Sequence, residues 1–192
     1  MRIVAGAWRG RRIHAPEGDS VRPTGDRVRE AWMSILGVAI PGARVVDLFA
    51  GSGALGLEAL SRGAASAHFV DDSPKSLAAI RKNATLLGAG DRAVIHRGDA
   101  LSFVATLGPG AFDIAFADPP YGKSTALQIA ELWLKRPFAA ALGIEHHSDE
   151  RLPDGGDRRK YGGTAITFYR TESVIVDPAI ISADSTTDSG PR

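Results

Sequence analysis

Residues 44–63 run R-V-V-D-L-F-A-G-S-G-A-L-G-L-E-A-L-S-R-G. Residues 45–49 are apolar apart from Asp47, which predicts a buried strand. Three glycines follow at 51, 53 and 56, and then an apolar run that predicts a helix near 54–62, with Gly63 suited to its C′ position. A strand, a glycine turn and a helix make the first half of a βαβ unit, and the same alternation continues downstream. Strands are expected near 66–70, 92–96, 112–117 and 141–145, and helices near 74–87, 99–107 and 124–135. Ser73-Pro74 reads as N-cap and first helical residue, and Gly88 as a second C′ glycine. Short apolar strands separated by helices imply an α/β fold of Rossmann-like type, a mostly parallel sheet with helices on both faces. A last strand at 165–169 is expected to join it antiparallel.

Upstream, Val28, Ala31, Trp32, Ile35 and Leu36 share one face of a helix expected over 24–36, which Gly37 stops. Before it, short strands around Ile3-Val4 and Arg12-Ile13, joined near Arg9-Gly10, read as a small hairpin. After Asp177 the composition turns to Ser, Thr, Asp, Gly and Pro, the signature of a loose tail. The expected division is an N-terminal extension over 1–37, a main domain over 38–170 and a tail over 171–192.

The 192 residues are 44% hydrophobic and 23% charged, enough for one ordinary core. There is no cysteine, which excludes thiolate metal sites, disulfides and cysteine nucleophiles. No apolar run has the ~18–20 residues of a membrane span, and the basic N-terminus lacks the apolar stretch of a secretory signal, so a cytoplasmic protein without membrane contact is expected. The net charge is only +1, but its distribution is uneven. Residues 1–14 hold Arg2, Arg9, Arg11 and Arg12 with no acid, and lysine occurs only at 75, 82, 123, 135 and 160. Arginine's planar fork suits phosphate, although a GC-rich genome would produce the same bias.

The turn at 51–56 is formally G-x-G-x-x-G, with Asp71 and Asp72 after the next strand, as in a dinucleotide site. Asp47 argues against that reading, because a carboxylate at this strand end repels a pyrophosphate at the helix N-terminus. It suits a cation instead, such as the ammonium group of S-adenosylmethionine, which carries no phosphate. Asp71 is placed to accept from a ribose diol. Asp99, beside Ala100, suits an adenine amino group or a helix cap. Together with Phe49, Ala50, Gly51, Ser52 and Gly53, these acids outline a nucleoside cradle. After the fourth strand comes Asp118-Pro119-Pro120-Tyr121. Two prolines end the strand and fix an extended backbone. An acid beside a fixed carbonyl can take both hydrogens of an exocyclic amine and aim its lone pair, while Tyr121 offers a stacking face. Methyl transfer then requires in-line alignment and no metal.

The pair D-L-F-A-G-S-G-A-L-G-L-E-A-L at 47–60 and D-P-P-Y at 118–121 resembles the class I S-adenosylmethionine-dependent amino-methyltransferases. Arg2-Ile3-Val4-Ala5-Gly6, Gly10-Arg11-Arg12, Arg22-Pro23-Thr24 and Asp26-Arg27-Val28-Arg29-Glu30-Ala31 narrow the likeness to the bacterial RsmD-type enzymes, over roughly 1–170. The resemblance implies methylation of guanine N2 in 16S ribosomal RNA, free or within an assembled or assembling 30S subunit. It implies S-adenosylmethionine as methyl donor and S-adenosylhomocysteine as product. Asp118, Pro119, Pro120 and Tyr121 would form the catalytic loop, and Gly51, Gly53 and Asp71 would belong to the cofactor site. The hairpin and the 22–29 segment would hold RNA, through Arg2, Trp8, Arg9, Arg11, Arg12, Arg22, Thr24, Arg27 and Arg29, with Lys123 beside the catalytic loop. Three positions depart from the family pattern: Asp71 stands where glutamate is usual, Met33 where phenylalanine is usual, and Tyr161-Gly162-Gly163-Thr164 lacks the acid of a Y-G-D-T turn.

Glu145-His146-His147 suggests a metal, but no third ligand has suitable spacing, and no metal is expected. Trp32 shares an apolar face and reads as core. Trp8, in a basic hairpin expected to be exposed, is the better stacking candidate. The competing functions are an adenine-N6 methyltransferase on DNA or RNA, a non-catalytic RNA-binding assembly factor, and a nicotinamide oxidoreductase. A monomer is expected.

Overall fold

A computed structural model describes residues 1–18, 26–122 and 124–172, with the backbone alone at 26 and 27. The elements run α1 (Asp26–Leu36), β1 (Arg44–Leu48), α2 (Ala54–Ser61), β2 (Ser66–Asp71), α3 (Pro74–Leu87), β3 (Ala93–Arg97), α4 (Ala100–Thr106), β4 (Phe112–Ala117), α5 (Thr125–Lys135), β5 (Ala139–His147), β6 (Asp157–Tyr161) and β7 (Thr164–Arg170). They form one seven-stranded sheet in the order β3-β2-β1-β4-β5-β7-β6. The first five strands are mutually parallel, and β7 runs antiparallel between β5 and β6. The strand order reverses between β1 and β4, so the crevice of this α/β sheet opens over the C-terminal ends of those two strands.

Alternation along the strands builds two cores. Val45, Phe69, Ile114 and Phe116 face α1, α2 and α3, whereas Val46, Leu48, Ala115 and Leu142 face α4 and α5. Trp32 of α1 is fully buried, edge-on to Phe116 of β4 at 5.4 Å and to Phe168 of β7 at 5.6 Å. Gly143 of β5 makes room for it, since a Cβ there would lie 2.3 Å from the indole. Gly56 does the same for α2, because a Cβ at that position would lie 2.4 Å from the Phe69 ring. The helix thereby sits close on β2 and carries the glycine turn with it.

Three expectations change. First, the N-terminal hairpin is short: Arg2 bridges Arg12, and the Ile3 and Ile13 amides donate to the Arg11 and Met1 carbonyls at 3.0 and 3.1 Å. Beyond these pairs, the amides of Val4 and Ala5 donate to the Glu58 carboxylate of α2, at 2.8 and 2.9 Å. Second, Trp8 is 8% exposed rather than open to solvent; its ring packs in the core with Ile3 and Ile13, and the Arg92 guanidinium lies 5.3 Å above it. A ring so covered has no open face for a base. Third, β6 was not foreseen. It reads D-R-R-K-Y and has no fully buried residue, as an edge strand can.

Arg22, Thr24 and Lys123 lie outside the described residues, as does the Arg27 side chain and all but the first two residues of the tail expected over 171–192. No helix among the described residues is long and apolar enough to cross a membrane.

Candidate active site

The turn after β1 is held from three sides. Asp47, 2% exposed, accepts from the Gly56 amide at 2.9 Å beneath the turn. Asp71, at the end of β2, accepts from the Gly51 amide at 2.8 Å and from the Ser73 amide at 2.9 Å. The Ala50 amide donates to the Val70 carbonyl at 3.1 Å. These bonds fix a backbone in which Phe49 takes φ +61°, a conformation rare for a bulky residue. Burial pushes the Asp47 carboxyl well above the usual carboxylate range, against the pull of the Gly56 N–H, and the charges of Asp118 and Asp71 push it further up.

Over this edge lies a cleft of about 750 Å³, lined from the ends of β1, β2, β3, β4 and β5 and from the β6–β7 turn. Of the cofactor-site candidates, Phe49, Gly51, Asp71, Asp99 and Ala100 line it. Asp47, Ala50, Ser52 and Gly53 are not among its walls. Asp47 supports the backbone of the turn through its bond to Gly56. Asp99 also caps α4, accepting from the Ser102 amide at 2.7 Å. The cap and a cleft position are compatible, because a carboxylate offers about four acceptor sites.

Asp118, Pro119, Pro120 and Tyr121 form the opposite wall. Tyr121 is 41% exposed, with its hydroxyl donating to Glu145 Oε1 at 3.2 Å and lying 3.0 Å from Thr164 Oγ1. His147 meets its ring edge-on at 5.9 Å. The phenol is held up from its ordinary range by burial first, with Glu145 and Asp118 adding negative charge nearby. Five acids, Asp71, Asp72, Asp99, Asp118 and Glu145, line the cleft, and no Lys or Arg does so among the described residues. Such a cavity attracts a cation and repels a pyrophosphate.

The expected RNA contacts divide. Arg2, Arg9, Arg11 and Arg12 are exposed, and Arg11 also donates to the Leu86 carbonyl. Arg29 is 1% exposed and donates to the Arg2 carbonyl at 2.8 Å, so it braces the N-terminal segment from inside. Glu145, Tyr161 and Thr164 line the cleft although sequence reasoning assigned them no role there. One signal was available for Glu145, an acid in an otherwise apolar strand, as with Asp47. Its two histidine neighbours drew a metal reading instead. His146 is buried with Nε2 2.8 Å from Thr167 Oγ1 and Nδ1 3.0 Å from the His147 carbonyl. No group of three potential ligands is placed to hold a metal among the described residues.

A family model described as "Conserved hypothetical protein 95" matches residues 1–170. A ribosomal RNA small subunit methyltransferase D of Escherichia coli is 44% identical over 158 residues, 80% of this chain and 78% of that protein. The chain belongs to the RsmD family. A second RsmD relative, a ribosomal RNA small subunit methyltransferase D of Haemophilus influenzae, is 35% identical over 179 residues, 88% of this chain and 92% of its own length. The solved yhhF protein of Escherichia coli superposes with a TM-score of 0.78 at 34% identity, covering 91% of this chain and 99% of that one. The fold is that of the class I methyltransferases, with an antiparallel strand inserted near one edge of the sheet.

Proposed function

We propose that this protein methylates the exocyclic N2 of a guanine in 16S ribosomal RNA, using S-adenosylmethionine. The observation that carries the reading is the meeting, in one acid-lined cleft, of the glycine turn and the D-P-P-Y loop across the β1/β4 switch point. The names of the RsmD relatives support ribosomal RNA over DNA. A non-catalytic assembly factor would have no use for the assembled loop.

The donor set suits this cofactor. Asp71 and Asp99 sit where a ribose diol and an adenine amine can donate to them, and Ala100, Phe49 and Gly51 supply backbone and apolar wall. When bound, S-adenosylmethionine supplies an electrophilic methyl group on a sulfonium. The D-P-P-Y loop does the rest by positioning. The extruded base stacks on Tyr121, and its amine donates to Asp118 and to a carbonyl of the proline pair. These bonds draw the nitrogen toward sp3 geometry and direct its lone pair. The methyl donor would leave as the neutral thioether S-adenosylhomocysteine, and Asp118 would accept the amine's surplus proton and pass it to solvent.

Residues 1–37 act in this reading as the RNA-contacting extension, through Arg2, Arg9, Arg11 and Arg12. The substrate is 16S RNA, free or within a 30S particle, and the enzyme works as a monomer. The test is transfer of labelled methyl from S-adenosylmethionine to unmethylated small-subunit RNA, 30S particles and duplex DNA, with the product nucleoside identified after digestion. N2-methylguanosine in RNA is expected. Label on adenine, or on DNA alone, would overturn the reading.

A further inference from the structure

Glu145 stands one residue past the last registered pair between β4 and β5, Ala117 with Ile144. That places it beside Asp118 at the same sheet edge, and both line the cleft. It is 6% exposed, and its Oε1 accepts the Tyr121 hydroxyl at 3.2 Å. Taking a carboxylate this far out of water is costly and needs a return in hydrogen bonds. Tyr121 also touches Thr164 across the β6–β7 turn, so the hydroxyl is fixed between two strands while the ring faces the cavity.

We infer that Glu145 is a specificity-determining residue, which selects guanine by accepting its N1–H. Guanine presents this donor beside the amine on its Watson–Crick edge, and a carboxylate next to Asp118 matches it with an acceptor. Adenine presents a donor at N6 but an acceptor at N1, which a carboxylate repels. Both hydrogens of N2 stay with Asp118 and the proline carbonyl, so two acids on neighbouring strands read adjacent donors of one base. A carboxylate's acceptor sites accommodate both Tyr121 and the base. The tether from Tyr121 to Glu145 then couples the stacking surface to the edge that is read. The inference rests on the guanine-N2 reading above and deepens it, because D-P-P-Y by itself serves any exocyclic amine.

The test uses the full chain and RNA carrying either guanosine or 2-aminopurine riboside at the methylated position. 2-Aminopurine keeps the N2 amine but turns N1 into an acceptor. Wild-type enzyme should prefer guanosine by about 100-fold or more in kcat/KM, since sites built to bond a donor reject its absence strongly. Glu145→Gln, whose amide can donate to N1, should lower the guanosine rate and narrow the preference about 10-fold or more. That ratio is internal to each preparation, so a partly unfolded variant does not distort it. Retention of S-adenosylhomocysteine binding, read as a thermal shift, shows that the cofactor half stands. Fluorescence of the 2-aminopurine RNA gives a binding readout apart from turnover, and Glu145→Gln should bind that RNA more tightly than wild type does. An unchanged ratio in Glu145→Gln, or a wild type that takes both bases equally, overturns the inference and leaves the function standing. A wild type that forms no N2-methylguanosine overturns both.

Discussion

Asp47 shows how a residue recognisable as special in the sequence gains a local task only in the fold. An acid inside an apolar strand signals a constrained position, and the strand ends at the cleft. The structure turns its carboxyl inward to the Gly56 amide, beneath the turn that faces the cavity. Burial raises its folded pKa above the unfolded value of about 4. The folded state therefore holds this proton more tightly than the unfolded chain does. Its contribution is complete below the unfolded pKa and is lost as pH rises through the folded one. Asp47→Asn keeps an acceptor for Gly56 without the buried charge. Its Tm relative to wild type should rise with pH across that window and then level off in a scan of thermal unfolding against pH. A constant difference would contradict the placement. Asp71, Asp99 and Asp118 could be placed at the cleft edge because each lies at or within two residues of a strand end whose boundary is plain in the sequence. Glu145 carried only one mark, an acid inside a strand, since its place beside Asp118 comes from β5 lying next to β4, and adjacency of strands is not written along the chain.

At the scale of elements, the helices could be placed within a residue or two because their starts carry local chemistry. Ser73 caps α3 ahead of Pro74, and Asp99 caps α4. The edge strand β6 has no such mark, since its charged residues satisfy a sheet edge and a loop equally well. The N-terminal hairpin was legible, but its anchorage was not, because the α2 groups that take its remaining amides lie more than fifty residues away in the chain. Glu58, fully buried, takes the Val4 and Ala5 N–H groups and the Arg62 Nε at 2.9 Å, while the Ser61 hydroxyl accepts the Trp8 amide at 2.9 Å. Glu58→Ala leaves two backbone donors and a partly buried guanidinium without their acceptor. It should cost about 3 kcal/mol, seen as a lower denaturant midpoint together with early proteolysis within the first 14 residues. A loss under about 1 kcal/mol, the worth of a surface pair, would mean that the segment is held by Ile3, Trp8 and Ile13 alone.

At the scale of the molecule, the described residues include a cleft walled by five carboxylates and, in the first 14 residues, a basic stretch of four exposed arginines without an acid. A net charge of +1 conceals that unevenness. The cleft suits a cationic cofactor and a base stripped of its neighbours, and the basic stretch suits the phosphates of the strand it came from. If Arg2, Arg9, Arg11 and Arg12 each neutralise a phosphate, the logarithm of RNA affinity should fall against that of salt with a slope of about −3 for single strands. Replacing Arg9 and Arg12 by alanine should reduce the slope by roughly half, measured by fluorescence anisotropy. A flat response would place the RNA elsewhere. The central claim is that Asp118 at the end of β4 directs an exocyclic amine to a methyl donor held over β1 and β2. It is tested most directly by single-turnover transfer to small-subunit RNA at cofactor concentrations that saturate both wild type and Asp118→Ala. The account predicts N2-methylguanosine from wild type and a rate about 10³-fold lower from the variant. Equal rates from the two proteins would contradict it.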